Sequence, residues 1–155
     1  MLKVGDPAPA FNLPTDGGGT LSSAALAGKP YVLYFYPKDN TTACTAQACD
    51  FRDNFARVVA AGATVLGVSK DSVKSHDNFK KKYSLPFPLL VDEAGTLHAA
   101  AGTWGPKKLY GRAYDGTIRS TFLVDGAGVV RAVWSPVKVK GHVDEVLAAL
   151  AALSA

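Results

Sequence analysis

Nowhere in the 155 residues do about 18 apolar side chains run uninterrupted, so no membrane-spanning helix is expected. The N-terminus, Met1-Leu-Lys-Val-Gly-Asp-Pro7, carries no apolar stretch of signal-peptide length, and a cytoplasmic location is expected from that. Charge of one sign is not gathered either. The 17 Lys and Arg against 13 Asp and Glu give a net charge of +4, yet the basic residues are scattered and only Lys80-Lys81-Lys82 form a run. No aromatic residues interleave with that run as a base-stacking platform requires; it reads as a solvated helix face, and nucleic acid is not an expected partner. Sulfur is scarcest of all, confined to Cys44, Cys49 and Met1. The Cys-x-x-Cys of a thiol–disulfide oxidoreductase is missing, and so is the Cys-x-x-x-Cys usual in a soft copper site. In a reducing compartment a structural disulfide is disfavoured, so two cysteines five residues apart point to catalysis, redox sensing or metal binding.

With 48% hydrophobic and 19% charged residues, the chain has the composition of one soluble domain, residues 1–155, with a proper core and no linker. Tyr31-Val-Leu-Tyr-Phe-Tyr36 is a continuous apolar run flanked by prolines, which suits a strand buried on both faces. Phe51, Phe55, Val58 and Val59 recur at helical spacing and predict a helix over residues 42–61, with Gly62 in the C-cap position. Residues 63–68 form a second buried strand, Ser72 caps a helix reaching about residue 83, and residues 86–91 lead into a third strand. Strand and helix alternate, so the sheet is expected to be largely parallel at its centre. A short helix is expected over residues 95–101 and a loop over most of residues 102–116, which contain several Gly and Pro. Residues 118–124 and 129–134, joined by Asp125-Gly-Ala-Gly128, read as a β-hairpin, and residues 143–153 as a closing amphipathic helix. Gly126-Ala-Gly128 lacks the strand–turn–helix context of a dinucleotide site. Gly17-Gly-Gly19 separates two short extended pieces that suggest a small hairpin outside the core.

Cys44 falls where the first apolar run turns into a helix. A thiol in the first turn of a helix faces the positive end of the macrodipole and unpaired backbone N–H groups, which favours thiolate and therefore reactivity.

Pro37, Thr41 and Cys44 spell Pro-x-x-x-Thr-x-x-Cys, and Arg119 sits in Ile118-Arg-Ser-Thr-Phe-Leu-Val-Asp125. In these residues the chain resembles the peroxiredoxins. Cys49, within Ala48-Cys-Asp-Phe-Arg-Asp53, makes it similar to their bacterioferritin comigratory protein, or Q-type, branch. The similarity runs from Gly5-Asp-Pro-Ala-Pro-Ala-Phe11 to the final helix. It implies an α/β thioredoxin-like fold, a central mixed sheet flanked by helices with an added N-terminal β-hairpin. It also implies a thiol peroxidase for hydrogen peroxide and organic hydroperoxides, serving redox homeostasis and oxidative-stress defence. Cys44 would be the peroxidatic nucleophile and Cys49 the resolving thiol, with Thr41, Arg119 and Pro37 completing the site. A monomer recycled by thioredoxin or a similar dithiol is expected. Two positions depart from the pattern: Ala43 replaces a frequent glycine, and Gln47 a frequent glutamate, leaving the first helical turn less negative.

The chemistry fits those residues on its own terms. Cleaving a peroxide O–O bond requires a thiolate in line with one oxygen and donors that stabilise charge on the departing one. An Arg119 guanidinium would favour the Cys44 thiolate and donate to the peroxide, the Thr41 hydroxyl can orient an oxygen, and Pro37, with no N–H, would shape and shield the loop. No metal, haem, flavin or nucleotide is needed. The sulfenic acid formed at Cys44 would condense with Cys49. Five positions along an α-helix span about 7.5 Å of rise and 140° of rotation, placing the Cα atoms roughly 8–9 Å apart. A disulfide needs about 7 Å or less, so oxidation is expected to unwind the helix between the cysteines. Two other readings are a redox relay to a protein client and a copper-binding module drawing on His142. His76, His98 and His142 are otherwise expected to be dispersed and exposed, and Arg52 to pair with an acid or face water. Trp104 and Trp134 are read as packing residues, with Trp104 also placed to line a peroxide entrance.

Overall fold

The computed structural model describes residues 1–153. Its elements follow in the order β1 (Asn12–Pro14), β2 (Thr20–Ser22), β3 (Tyr31–Phe35), α1 (Thr42–Asp53), α2 (Phe55–Ala60), β4 (Thr64–Ser69), α3 (Val73–Tyr83), β5 (Leu89–Val91), α4 (Thr96–Ala101), β6 (Trp104–Leu109), β7 (Arg112–Thr117), β8 (Ser120–Val124), β9 (Val130–Trp134) and α5 (His142–Leu153). Five strands form the main sheet in the order β5-β4-β3-β8-β9. β3 pairs parallel with β4 and antiparallel with β8, so the sheet is mixed, with a parallel half and an antiparallel half meeting at β3.

β3 is buried on both faces because helices or hairpins cover both sides of the sheet. Its side chains divide with period two. Val32, Tyr34 and Tyr36 enter a core with Phe51 of α1, Val58 of α2, Phe79 of α3 and Leu147 of α5. Tyr31, Leu33 and Phe35 enter the opposite core with Leu97 and Ala101 of α4 and Leu13 and Leu21 of the β1–β2 hairpin. That small hairpin lies outside the main sheet, as its glycine triplet suggests, and is tied to it by a bridge between Thr15 and Leu90. Ser72 caps α3 by accepting from Ser75 N–H at 3.2 Å.

Two elements differ from the sequence reading. The helix expected over residues 42–61 breaks at Asn54, which leaves helical geometry while its Nδ2 donates to the Asp50 carbonyl at 2.9 Å, a local side-chain bond that competes with the backbone ladder. Most of the expected loop at residues 102–116 is the β6–β7 hairpin, paired from Trp104↔Thr117 to Leu109↔Arg112. Its two-residue tip, Tyr110-Gly111, has φ of 50° and 76°, the left-handed pair that matches strand twist. The glycines and proline signalled a break where the structure uses them in a tight ribbon.

Candidate active site

The chain leaves β3 through Tyr36, bends over residues 37–41 and enters α1 at Thr42. Thr41 is the N-cap, but its hydroxyl donates to the Lys38 carbonyl at 2.8 Å and caps no helix N–H. The first bond of the helix runs from Thr45 N–H to the Thr41 carbonyl at 2.8 Å. The N–H groups of the first turn, with no carbonyl behind them, are directed toward whatever anion or oxygen approaches Cys44. Cys44 is buried, 1% exposed, on the third residue of α1.

Arg119 reaches this helix from a distant part of the sequence because of sheet register. Antiparallel pairing sets Ser120, the first residue of β8, opposite Phe35, the last of β3, so Arg119 lies beside the bend that starts α1. Its Nη2 donates to Cys44 Sγ at 3.2 Å and its Nη1 to Gln47 Oε1 at 2.7 Å. A guanidinium has only donors, so Gln47 must turn its oxygen toward Arg119. Its Nε2 is then buried without a hydrogen-bond partner among the described residues. Cys49, half-buried on the same helix, and Cys44 are both free thiols.

The AhpC/TSA family matches residues 4–133 of the chain. A putative Bcp peroxiredoxin of Coxiella burnetii is 52% identical over 96% of this chain and 99% of its own length. The chain belongs to the AhpC/TSA family. More finely, it falls with the Bcp or Q-type peroxiredoxins: Peroxiredoxin Bcp of Bacillus subtilis is 45% identical over 99% of this chain and 98% of its own. Among solved structures, a cysteine-to-serine mutant of PrxQ from Xylella fastidiosa superposes with a TM-score of 0.94 at 35% identity, covering 100% and 99% of the two chains. The bacterioferritin comigratory protein of Xanthomonas campestris, a structure described in terms of alkyl peroxide reduction, gives a TM-score of 0.89 at 44% identity, covering 94% and 92%. The thioredoxin-like peroxiredoxin fold follows, and with it a thiol peroxidase, an oxidoreductase.

In this peroxiredoxin the structure brings Arg119 to Cys44, while Thr41, exposed at the N-cap, turns its hydroxyl to Lys38 and Pro37 lies half-buried in the bend between Tyr36 and Thr41. Arg119 precedes β8 by one residue instead of lying within the strand. Arg52 both pairs with Asp53 at 3.0 Å and donates to the Tyr83 carbonyl at 2.8 Å, linking α1 to the end of α3. Trp104 is half-exposed, with Lys70 Nζ 4.2 Å from its ring and His98 edge-on, so it packs on the β6 side of the sheet. Trp134 packs edge-on against His142.

The expectation of exposed histidines is overturned, since His76, His98 and His142 are all buried. The Nε2 of His142 lies 2.8 Å from Thr121 Oγ1, and its ring packs edge-on against Phe51 of α1. Burial, and secondarily the Arg119 charge, lower its pKa to about 4. His98 Nδ1 meets Asp92 Oδ2 at 2.6 Å and its Nε2 meets Thr117 Oγ1 at 2.9 Å, which anchors the segment leading to Arg119. Burial raises the Asp92 pKa, but bonds from the His98 ring and from the His98 and Leu97 N–H groups outweigh it and leave it lowered. The helical spacing of His76, Phe79 and Tyr83, and the apolar neighbours Leu97 and Val143, carried the burial signal. Lys107 of β6 was also missed. Its ammonium donates to the Thr117 carbonyl at 2.9 Å, and its pKa is lowered by partial burial and then by Arg119, with Cys44 opposing.

Proposed function

We propose that this peroxiredoxin reduces hydrogen peroxide and alkyl hydroperoxides by a two-cysteine cycle in which Cys44 attacks and Cys49 resolves. The observation that carries it is the 3.2 Å bond from Arg119 to Cys44 Sγ at the N-terminus of α1. There a guanidinium donates to the sulfur and, with the N–H groups of the first turn, stands ready to donate to the peroxide. The thiolate attacks one peroxide oxygen, the O–O bond breaks, and the other oxygen leaves as alkoxide or hydroxide and takes up a proton. Cys44 becomes a sulfenic acid. The Thr41 hydroxyl, whose proton goes to the Lys38 carbonyl, keeps lone pairs that can accept from the peroxide O–H, and Pro37 closes the bend without adding a competing N–H. The Cys49 thiol then displaces water from the sulfenic acid to give the Cys44–Cys49 disulfide, and a dithiol protein of thioredoxin type reduces it by exchange. An exposed disulfide in an unwound segment suits such a partner. The reading treats the chain as one domain acting as a monomer in the cytoplasm. The copper-binding alternative drew on His142, whose Nε2 is taken by Thr121. A redox relay would use the same Cys44 chemistry and differ only in which thiol collects the disulfide.

Thioredoxin-coupled peroxide consumption by wild type, Cys44→Ser and Cys49→Ser tests the cycle, with intact mass after one equivalent of peroxide. Loss of turnover in Cys44→Ser, a mass decrease of about 2 Da in wild type and a trappable sulfenic acid in Cys49→Ser are expected. Full turnover in Cys49→Ser would remove Cys49 from the cycle, and an inactive wild type would sink the reading.

A further inference from the structure

The bend over residues 37–41 is not held by helix capping. Its anchor is Asp39, which is 7% exposed. The Asp39 N–H donates to Asp71 Oδ2 at 2.8 Å, and Ser69 Oγ donates to the same oxygen at 2.6 Å. The Asp39 carboxylate in turn accepts from Tyr36 Oη at 2.5 Å, from Ser75 Oγ at 2.8 Å and from His76 Nδ1 at 2.7 Å. His76 comes from α3 and is fully buried. Its other nitrogen, Nε2, lies 2.8 Å from the Leu90 carbonyl on β5.

Both ring nitrogens therefore face acceptors that have no proton to give, a carboxylate and a peptide carbonyl. A neutral imidazole donates from one nitrogen only and would set a lone pair against one of them. The ring that satisfies both is the imidazolium. The charged groups facing it are Asp39, from the bend after β3, and Asp71, from the turn after β4, and Tyr36 is a further titratable neighbour, its ring centroid 6.4 Å away. On α3 itself, Lys80 turns away to Asp16 and Asp77 accepts from Gly17 N–H. Asp39 is buried and Asp71 half-buried beside it, and the positive charge that compensates them is supplied by His76. Desolvation lowers the His76 pKa, but the Asp39 bond and charge, the Leu90 carbonyl and Asp71 outweigh it and leave it above the ordinary value.

We propose that His76 is a positioning residue for the peroxide site: as an imidazolium clamped between Asp39 and Leu90, it fixes the bend that sets Pro37 and Thr41 against Cys44. The proposal rests on the peroxidatic role of Cys44 given above and adds the group that keeps its neighbours in place. The sign follows from the raised value. The clamp is complete below the ordinary histidine pKa of about 6.5 and is lost as pH rises through the folded value, because the deprotonated ring must release Asp39 or Leu90.

Histidine-labelled, reduced protein without peroxide is the first sample. Its ring 15N shifts are expected to show both nitrogens protonated at a pH of about 6.5, and the Asn40 and Thr41 amides to titrate with the same midpoint. The second readout is the rate of Cys44 with hydrogen peroxide, divided by the thiolate fraction measured from ultraviolet absorbance. It is expected to fall about tenfold across that midpoint, equivalent to about 1.4 kcal/mol. His76→Gln is expected to show the low rate already at a pH of about 6, without the alkaline fall. A ring with one proton already at a pH of about 6.5, a Thr41 amide that ignores the titration, or a wild-type rate profile in His76→Gln would overturn the proposal. If His76→Gln does not fold, the wild-type titration and rate profile decide it. If Cys44 does not react with peroxide at all, the peroxidase reading fails, while the titration still judges the clamp.

Discussion

Oxidation by one equivalent of peroxide is expected to unwind the first two turns of α1. Cys44 and Cys49 are the third and eighth residues of that helix, with Cα atoms roughly 8–9 Å apart by helix geometry. A disulfide closes at about 7 Å or less. The helices hold 12, 6, 11, 6 and 12 residues, so unwinding Thr42 to Cys49 removes about one-sixth of the helical far-UV signal. The same step pulls Cys44, Gln47 and Ala48 out of the core and ends both Arg119 bonds, each of the kind worth about 1.5–3 kcal/mol. Formation of the S–S bond has to drive it, so Cys49→Ser carrying a Cys44 sulfenic acid is expected to keep its helix. Circular dichroism and amide exchange of wild type before and after peroxide, with intact mass to confirm the disulfide, test this. A mass lower by about 2 Da alongside an unchanged spectrum and unchanged protection of residues 44–49 would refute the geometric argument.

Arg119→Met removes the donor at Sγ and is expected to slow Cys44 oxidation by roughly 10- to 150-fold, the rate equivalent of one charge-assisted bond. Stopped-flow peroxide kinetics measure it. Arg119→Lys should recover little, because one ammonium does not reproduce the fork that spans Sγ and Gln47 Oε1. The lowered pKa of His142 means that the folded state holds the ring neutral while the unfolded chain protonates it at a pH of about 6.5. Its contribution is present above that value and is lost as pH falls toward about 4, in total about 3 kcal/mol. Urea titrations of wild type and His142→Gln at neutral and mildly acid pH should show that slope in wild type alone. Gly67→Ala places a Cβ 2.9 Å from Leu89 Cδ2 and 3.0 Å from Tyr34 Oη, inside a packed core, and is expected to cost about 1–3 kcal/mol. A denaturation midpoint unchanged from wild type would show that the two side chains give way freely.

Periodicity located the strands that build the sheet's centre because β3 and β4 are nearly continuous apolar runs, and turn residues bounded them. Ser72 and the Asp125–Gly128 turn were legible for the same local reason: a cap or tight turn is decided by the residues that make it. The β6–β7 hairpin was not, since Gly105, Pro106 and Gly116 break strand propensity and only pairing between its two arms reveals the ribbon. The break at Asn54 escaped because Phe51, Phe55, Val58 and Val59 keep helical spacing across it.

The same division holds for the site. Pro37, Thr41, Cys44 and Cys49 lie within 13 residues of one another, so their spacing alone placed them together at a helix start. Sequence by itself thus determined the sulfur chemistry and the fold that hosts it. Tertiary structure decided what touches the sulfur and what holds the bend. Arg119 reaches Cys44 through the β3–β8 register. His142 and Lys107 come into the site's electrostatic field only in three dimensions. His76 meets Asp39 only because α3 lies over the end of β3. Helical spacing and apolar neighbours carried a sign that these histidines are buried, but not which carboxylate, hydroxyl or carbonyl on another segment each ring meets. A buried polar group is made tolerable by bonds across the fold, and such bonds are a property of packing that no local pattern encodes.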